Sequence, residues 1–190
     1  MNTLLQQIVF IKEIDKLKYI QRKTRLFNSD RPENDAEHSW HLAMMVLAFS
    51  EHSNVKIDVL KVLKMVWIHD IVEIDSGDIF IFDTTKNHNN TAEELKAAKR
   101  IFGMLPEAQA IELIELWLEF EKAETHEAKF AKAMDRFQPI LQNVSNNGGT
   151  WREYQVPKEK VIDKTMPVSS GSKAIWDYSL REIERLYQSL

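Results

Sequence analysis

Apolar residues recur along the chain at intervals of three and four, and no stretch keeps a period of two, so the pattern predicts helix after helix and hardly any strand. Leu4, Ile8, Ile11, Ile14 and Leu17 mark a first amphipathic helix that runs into the basic segment Lys16 to Arg25. Past the polar turn Asn28 to Pro32, Asn34 followed three residues later by Glu37 forms a capping-box pattern, which starts a second helix near Asp35 and carries it to about His52. From Asp58 to about Ile74, Leu60, Leu63, Trp67, Ile68 and Ile71 describe a third helix, apolar on so many sides that it is expected at the centre of the bundle. Thr91, with Glu94 in the capping-box position, opens a fourth helix that Gly103 ends, and Pro106 opens a fifth that runs to about Lys122. A sixth begins near Glu127 with Phe130, Met134, Phe137 and Leu141 on one stripe, and a last spans roughly Lys173 to Ser189. Between these two, Gly148 to Gly171 reads as a long loop with a short helical pattern after Pro157. Trp40, Trp67 and the Met44–Met45 pair read as core. The expected architecture is one all-α bundle of about six to seven helices over residues 1–190, with its motif-bearing core at about 10–145 and the long loop and terminal helix at 146–190.

Composition narrows the chemistry. The chain has 190 residues, is 44% hydrophobic and contains no cysteine, which excludes disulfides, thiol nucleophiles and cysteine-held metals. Any transition metal must be held by His and carboxylates. Twenty-five Lys and Arg against 29 Asp and Glu give a formal charge of -4, which argues against binding a nucleic acid polymer. No apolar run approaches the roughly 20 residues of a membrane span, and the first ten residues carry no basic stretch or cleavage site of a leader, so a cytoplasmic address is expected.

His69 and Asp70 set two adjacent ionisable residues inside an otherwise apolar helix. Unpaired burial of such groups costs several kcal/mol, which makes metal ligation the economical explanation. Glu73, four residues after His69, lies over the same helix face. Other helices must complete the ligand set. His38 sits in the first turn of the second helix, and Asp135 interrupts the stripe of the sixth, where Pro139 leaves its carbonyl without a helical N–H partner.

His38, the His69-Asp70 pair and Asp135, in that order, resemble the HD-domain metal-dependent phosphohydrolases. The flanking text Arg31 to His41 and His69 to Asp78 is similar to the branch that includes 5'-deoxynucleotidases. The resemblance implies one divalent ion held by His38, His69, Asp70 and Asp135, with Mn, Co, Fe, Ni or Zn better suited than Mg to a mixed imidazole and carboxylate set. It implies a water activated by that ion, Glu73 and Asp78 as proton-handling groups, and a small phosphomonoester substrate, foremost a nucleoside 5'-monophosphate. Related nucleotidases hold the nucleotide with an Arg-Trp pair, and this sequence departs from it with Lys23 and Thr24. The phosphate contact is therefore assigned to Lys23, Arg22 or Arg25, and Trp151 or Tyr154 stand as candidates for stacking on a base. Competing readings are a phosphodiester or alarmone hydrolase, a di-iron oxygenase, and a non-catalytic metal-binding dimer module.

Several residues have plainer readings. Glu37 caps its helix or pairs with Arg22 or Arg31, and His41 is expected beside the centre or at the surface. His88 and His126 invite a two-metal site, yet Asn and Glu neighbours favour a single ion. Apolar residues on several helices make a homodimer the expected assembly.

Overall fold

The computed structural model describes residues 2–85 and 91–189, the side chain of Thr91 excepted. Helix α1 (Thr3–Ile14) tightens into a 3-10 turn, Asp15–Tyr19, and gives way to strand β1 (Gln21–Arg25), which pairs antiparallel with β2 (Pro32–Asn34). Then come α2 (Asp35–Phe49), α3 (Val59–Ile68), a 3-10 turn over His69–Val72, and the short α4 (Glu73–Ser76). The long helices α5 (Thr91–Phe102), α6 (Glu107–Lys122) and α7 (His126–Ser145) follow. Short α8 (Gly149–Glu153), α9 (Lys158–Thr165) and α10 (Val168–Gly171) lead to α11 (Lys173–Ser189). Among the described residues, the helices of ten residues or more are α1, α2, α3, α5, α6, α7 and α11, which fits the expected bundle. No helix of the described residues is long and apolar enough to cross a membrane.

Four sequence expectations need correction. The basic segment is not a helix end: after Tyr19 it becomes β1, because the hairpin to β2 satisfies the backbone that charged side chains leave in the open. The third helix is not continuous, since it narrows to a 3-10 turn at His69. It is not the central one either. α7 holds that place, packed against α2, α3, α6, α8, α10, α11 and β1, whereas α3 turns Leu60 and Trp67 outward. Finally, the expected loop at 148–171 is mostly short helices, which wrap one flank of α7. Gly171 makes that wrapping close: a Cβ there would lie 2.4 Å from the Lys129 carbonyl oxygen of α7.

The surface also departs from expectation. Trp40, Met44 and Trp67, expected in the core, are 64%, 47% and 50% exposed, because helical spacing turns them away from the face that buries Leu42, Met45 and Val66. Leu4, Ile8 and Ile11 of α1 are likewise exposed, and Phe10 is the residue of α1 that enters the core.

Candidate metal centre

The capping box at the start of α2 is complete. The Asn34 side chain accepts from the Glu37 N–H, and the Glu37 carboxylate accepts from the Asn34 N–H while also pairing with Arg31. It holds the first turn of α2 rigid, and His38 projects from that turn fully buried. His38 Nδ1 donates to Gln138 Oε1 at 3.1 Å, and Gln138 Nε2 donates to Glu33 Oε1 at 2.6 Å. On the 3-10 turn, His69 Nδ1 donates to the Val66 carbonyl at 3.0 Å. With Nδ1 as donor in both rings, both Nε2 atoms face inward.

There they meet carboxylates. His38 Nε2 lies 3.1 Å from Asp135 Oδ1 and 3.8 Å from Asp70 Oδ2, while His69 Nε2 lies 2.9 Å from Asp70 Oδ1 and 3.7 Å from Asp135 Oδ1. His69 Nε2 is buried without an aligned hydrogen-bond partner. An imidazole lone pair aimed at a carboxylate oxygen is repulsive unless a proton or a cation stands between them. The residues therefore fit a divalent ion: ligand atoms of His38, His69 and Asp135 all lie within 4.8 Å of one another, and Asp70 adjoins them. Such a set of imidazole nitrogen and carboxylate oxygen suits a first-row transition ion.

The electrostatics carry the same message. Burial alone would lower the His69 imidazole, but Asp70 and Asp135 hold it up to about 10. Burial opposes the charge of Asp135, yet hydrogen bonds from His38 and His69 keep its carboxyl well below the usual range. Asp70 is depressed too, against burial, by His69 and Arg22. Burial, then Asp70 and Asp35, push the Glu73 carboxyl well above its ordinary value, and burial raises Asp78.

Of the three cations considered for phosphate, Arg22 enters the centre. Its Nη1 lies 3.0 Å from Asp70 Oδ2, 3.2 Å from Asp35 Oδ1 and 3.8 Å from Asp78 Oδ1. Alternation along β1 turns Lys23 to the exposed side, where it lines a pocket with Thr24, Phe80 and Trp151, and Arg25 is engaged by Asp30 and Glu153. A cleft of roughly 320 Å³ opens beside His69, Asp70, Glu73 and Asp135, and Lys132, Arg136 and Lys164 line it. Trp151 is buried and stacks on Tyr187, while Tyr154 is half exposed against Phe80. His41 reaches Gln138 and not the centre, His126 is exposed at the start of α7, and His88 lies outside the described residues.

Sequence reasoning missed Glu33, Asp35, Gln138, Arg136 and Lys164. Helical spacing held a signal for two of them: Asp35 is three residues before His38 and Gln138 three after Asp135, each on its ligand's face. Nothing in the text points to Lys164, which α9 brings in from the supposed loop.

Similarity to known proteins agrees with this geometry. A solved structure from Magnetospirillum magnetotacticum, described as a predicted metal-dependent phosphohydrolase, superposes with a TM-score of 0.93 at 44% identity, over 98% of this chain and 93% of that one. The PH0347 protein of Pyrococcus horikoshii shares the fold, with a TM-score of 0.66 at 24% identity over 94% and 99% of the two chains. Human 5'-deoxynucleotidase HDDC2 is 31% identical over 134 residues, which are 70% of this chain and 64% of the relative, so the chain spans under two thirds of that protein's length. The Dictyostelium discoideum protein of the same name is 30% identical over 70% of this chain and 73% of its own. The HD-domain family model matches residues 14–176, and with His38, His69, Asp70 and Asp135 gathered at one point, the chain belongs to the HD-domain family.

Proposed function

We propose that the protein is a divalent-metal-dependent phosphohydrolase that releases phosphate from a nucleoside 5'-monophosphate. The observation that carries this reading is the meeting of His38, His69, Asp70 and Asp135, the last three of which line a cleft together with Glu73, Arg22, Lys132, Arg136 and Lys164. The substrate class draws on the relatives named 5'-deoxynucleotidases. Those four residues would hold the ion, with Mn, Co, Fe, Ni or Zn favoured over Mg by the two imidazoles. When bound, such an ion polarises a phosphoryl oxygen and acidifies water.

The chain's own groups do the rest. Glu73 Oε2 is buried without a hydrogen-bond partner and is the atom to take the proton of the attacking water. Asp78, which lines the same cleft, is the group placed to give a proton to the leaving oxygen. Arg136 and Lys164 draw the phosphate dianion into the cleft, with Lys23 in the pocket that adjoins it, while Arg22 is committed to carboxylates. A panel of nucleoside monophosphates, cyclic nucleotides and pyrophosphorylated nucleotides, offered to manganese- or cobalt-loaded protein, tests this reading. Phosphate release from monophosphates supports it, and cleavage of only the cyclic or pyrophosphorylated compounds replaces it with the phosphodiester or alarmone reading.

The exposed Trp40, Met44, Leu47, Leu60 and Trp67 support a homodimer, because surface apolar residues in such numbers favour association, and the sequence reading alone proposes the cytoplasm as its compartment. Light scattering that returns a monomer at micromolar concentration removes the dimer.

A further inference from the structure

Past α4 the chain carries four apolar residues in succession, Ile79, Phe80, Ile81 and Phe82, outside any helix or strand and each only half-buried. A contiguous apolar run left open in this way marks a surface that binds something. The backbone holds it in place. Gly77 turns the chain out of α4 at a φ of 73°, and the Asp83 N–H donates to the Phe80 carbonyl at 2.8 Å, which closes a turn over residues 80–83.

The run divides between two spaces. Ile79 and Ile81 line both the cleft beside the metal centre and the pocket that adjoins it, whereas Phe80 and Phe82 line the pocket alone. Arg136, Lys164 and Asp78 are common to the two spaces, so the pocket continues from the part of the cleft that draws in phosphate. Its far walls are apolar, with Ile140 and Pro139 from α7 and Trp151 from α8. Trp151 is 2% exposed and stacked on Tyr187, which makes it a wall and leaves it little free surface. β1 brings no ring at all. It contributes Lys23 and Thr24, and the buried Thr24 hydroxyl has no hydrogen-bond partner.

Phe80 is the ring that remains. Tyr154 lies 5.0 Å and Phe82 5.4 Å from it between ring centroids, and these two neighbours brace it at the pocket. A charged head in the cleft and a flat, partly polar ring behind it match this division into a cationic space and an apolar one with an unmatched hydroxyl. A bare sugar would leave the apolar walls unused. We propose that Phe80 is the platform against which the base of the nucleotide packs, and that it selects base-bearing phosphomonoesters over simple sugar phosphates. The proposal rests on the monophosphate reading above and adds to it the residue that recognises the base.

The test compares manganese-loaded protein on the better of adenosine and deoxyadenosine 5'-monophosphate with the same protein on the matching sugar 5-phosphate, which lacks the base. The ratio of the two kcat/KM values isolates the base, because general damage to the fold or the metal centre lowers both together. The wild type should favour the nucleotide, Phe80→Ala should lower the ratio about tenfold, the order of one base–aromatic stacking contact, and Phe80→Trp should keep it. Calorimetric titration of metal-free protein with the same two compounds should show the same change in the ratio of affinities, without turnover. Circular dichroism checks each fold, and Phe80→Leu, which keeps an apolar side chain and removes the ring, takes the place of Phe80→Ala if that variant does not fold. A ratio that stays at the wild-type value in the folded variant overturns the assignment of Phe80 and leaves the monophosphate reading intact. A wild type without preference for the nucleotide overturns it too. No phosphate released from any monophosphate sinks both readings.

Discussion

At the residue scale, the centre depends on atoms that never touch the cleft. Gln138 ties His38 Nδ1 to Glu33 and thereby fixes which imidazole nitrogen faces inward. Gln138→Ala should weaken metal affinity about 10- to 100-fold, read by competition with a chromogenic chelator, with little change in secondary structure. Unchanged affinity would mean that His38 is held by packing alone. The proposed ligands His69 and Asp70 stand out in the sequence because ionisable residues at buried helical positions demand partners. Gln138 and Asp35 do not, since a neutral amide breaks no local rule and an acid at the first helical position passes for an ordinary helix start. Lys23 and Arg25 equal Arg22 on charge; strand alternation turns Lys23 outward, and Asp30 and Glu153 engage Arg25.

At the element scale, the hairpin and the interrupted third helix bring the site together. The hairpin leaves no trace in the pattern because Gln21 to Arg25 is polar along its length and offers no apolar alternation. The 3-10 turn escaped because its apolar residues keep a helical spacing to within a residue. By contrast, the capping box was plain in Asn34 and Glu37, and its bonds are formed. Asn34→Ala removes the cap from the helix that carries His38 and should cost about 1 kcal/mol in urea denaturation. A loss below a few tenths of a kcal/mol would show that the hairpin, rather than the cap, anchors that end. The helices after Pro157 hide as loop because their short length leaves no room for periodicity to register.

At the scale of the whole molecule, the enclosed charges couple stability to pH. In the metal-free protein, His69 rises from 6.5 to about 10 and Asp35 from 3.8 to about 7, so each contributes stability that is full below its unfolded value and is lost as pH climbs through the raised one. Asp70 and Asp135 are lowered, and their contribution is present above 3.8 and lost as pH falls through their depressed values. Chelator-treated protein should therefore melt several degrees lower at pH 9 than at pH 6, and a flat profile between those values would contradict the enclosed cluster. The all-helical class was legible from periodicity, and the order of His38, His69-Asp70 and Asp135 from the family resemblance, whereas the place of α7 at the centre depends on packing that no single stretch encodes. The central claim is that His38, His69, Asp70 and Asp135 hold the ion on which hydrolysis depends. Phosphate release from a nucleoside monophosphate by manganese-loaded protein, wild type beside Asp70→Ala, tests it most directly. The account predicts turnover in the wild type and a loss of about 10³-fold or more in a folded variant. A folded Asp70→Ala protein that hydrolyses the substrate at the wild-type rate contradicts it.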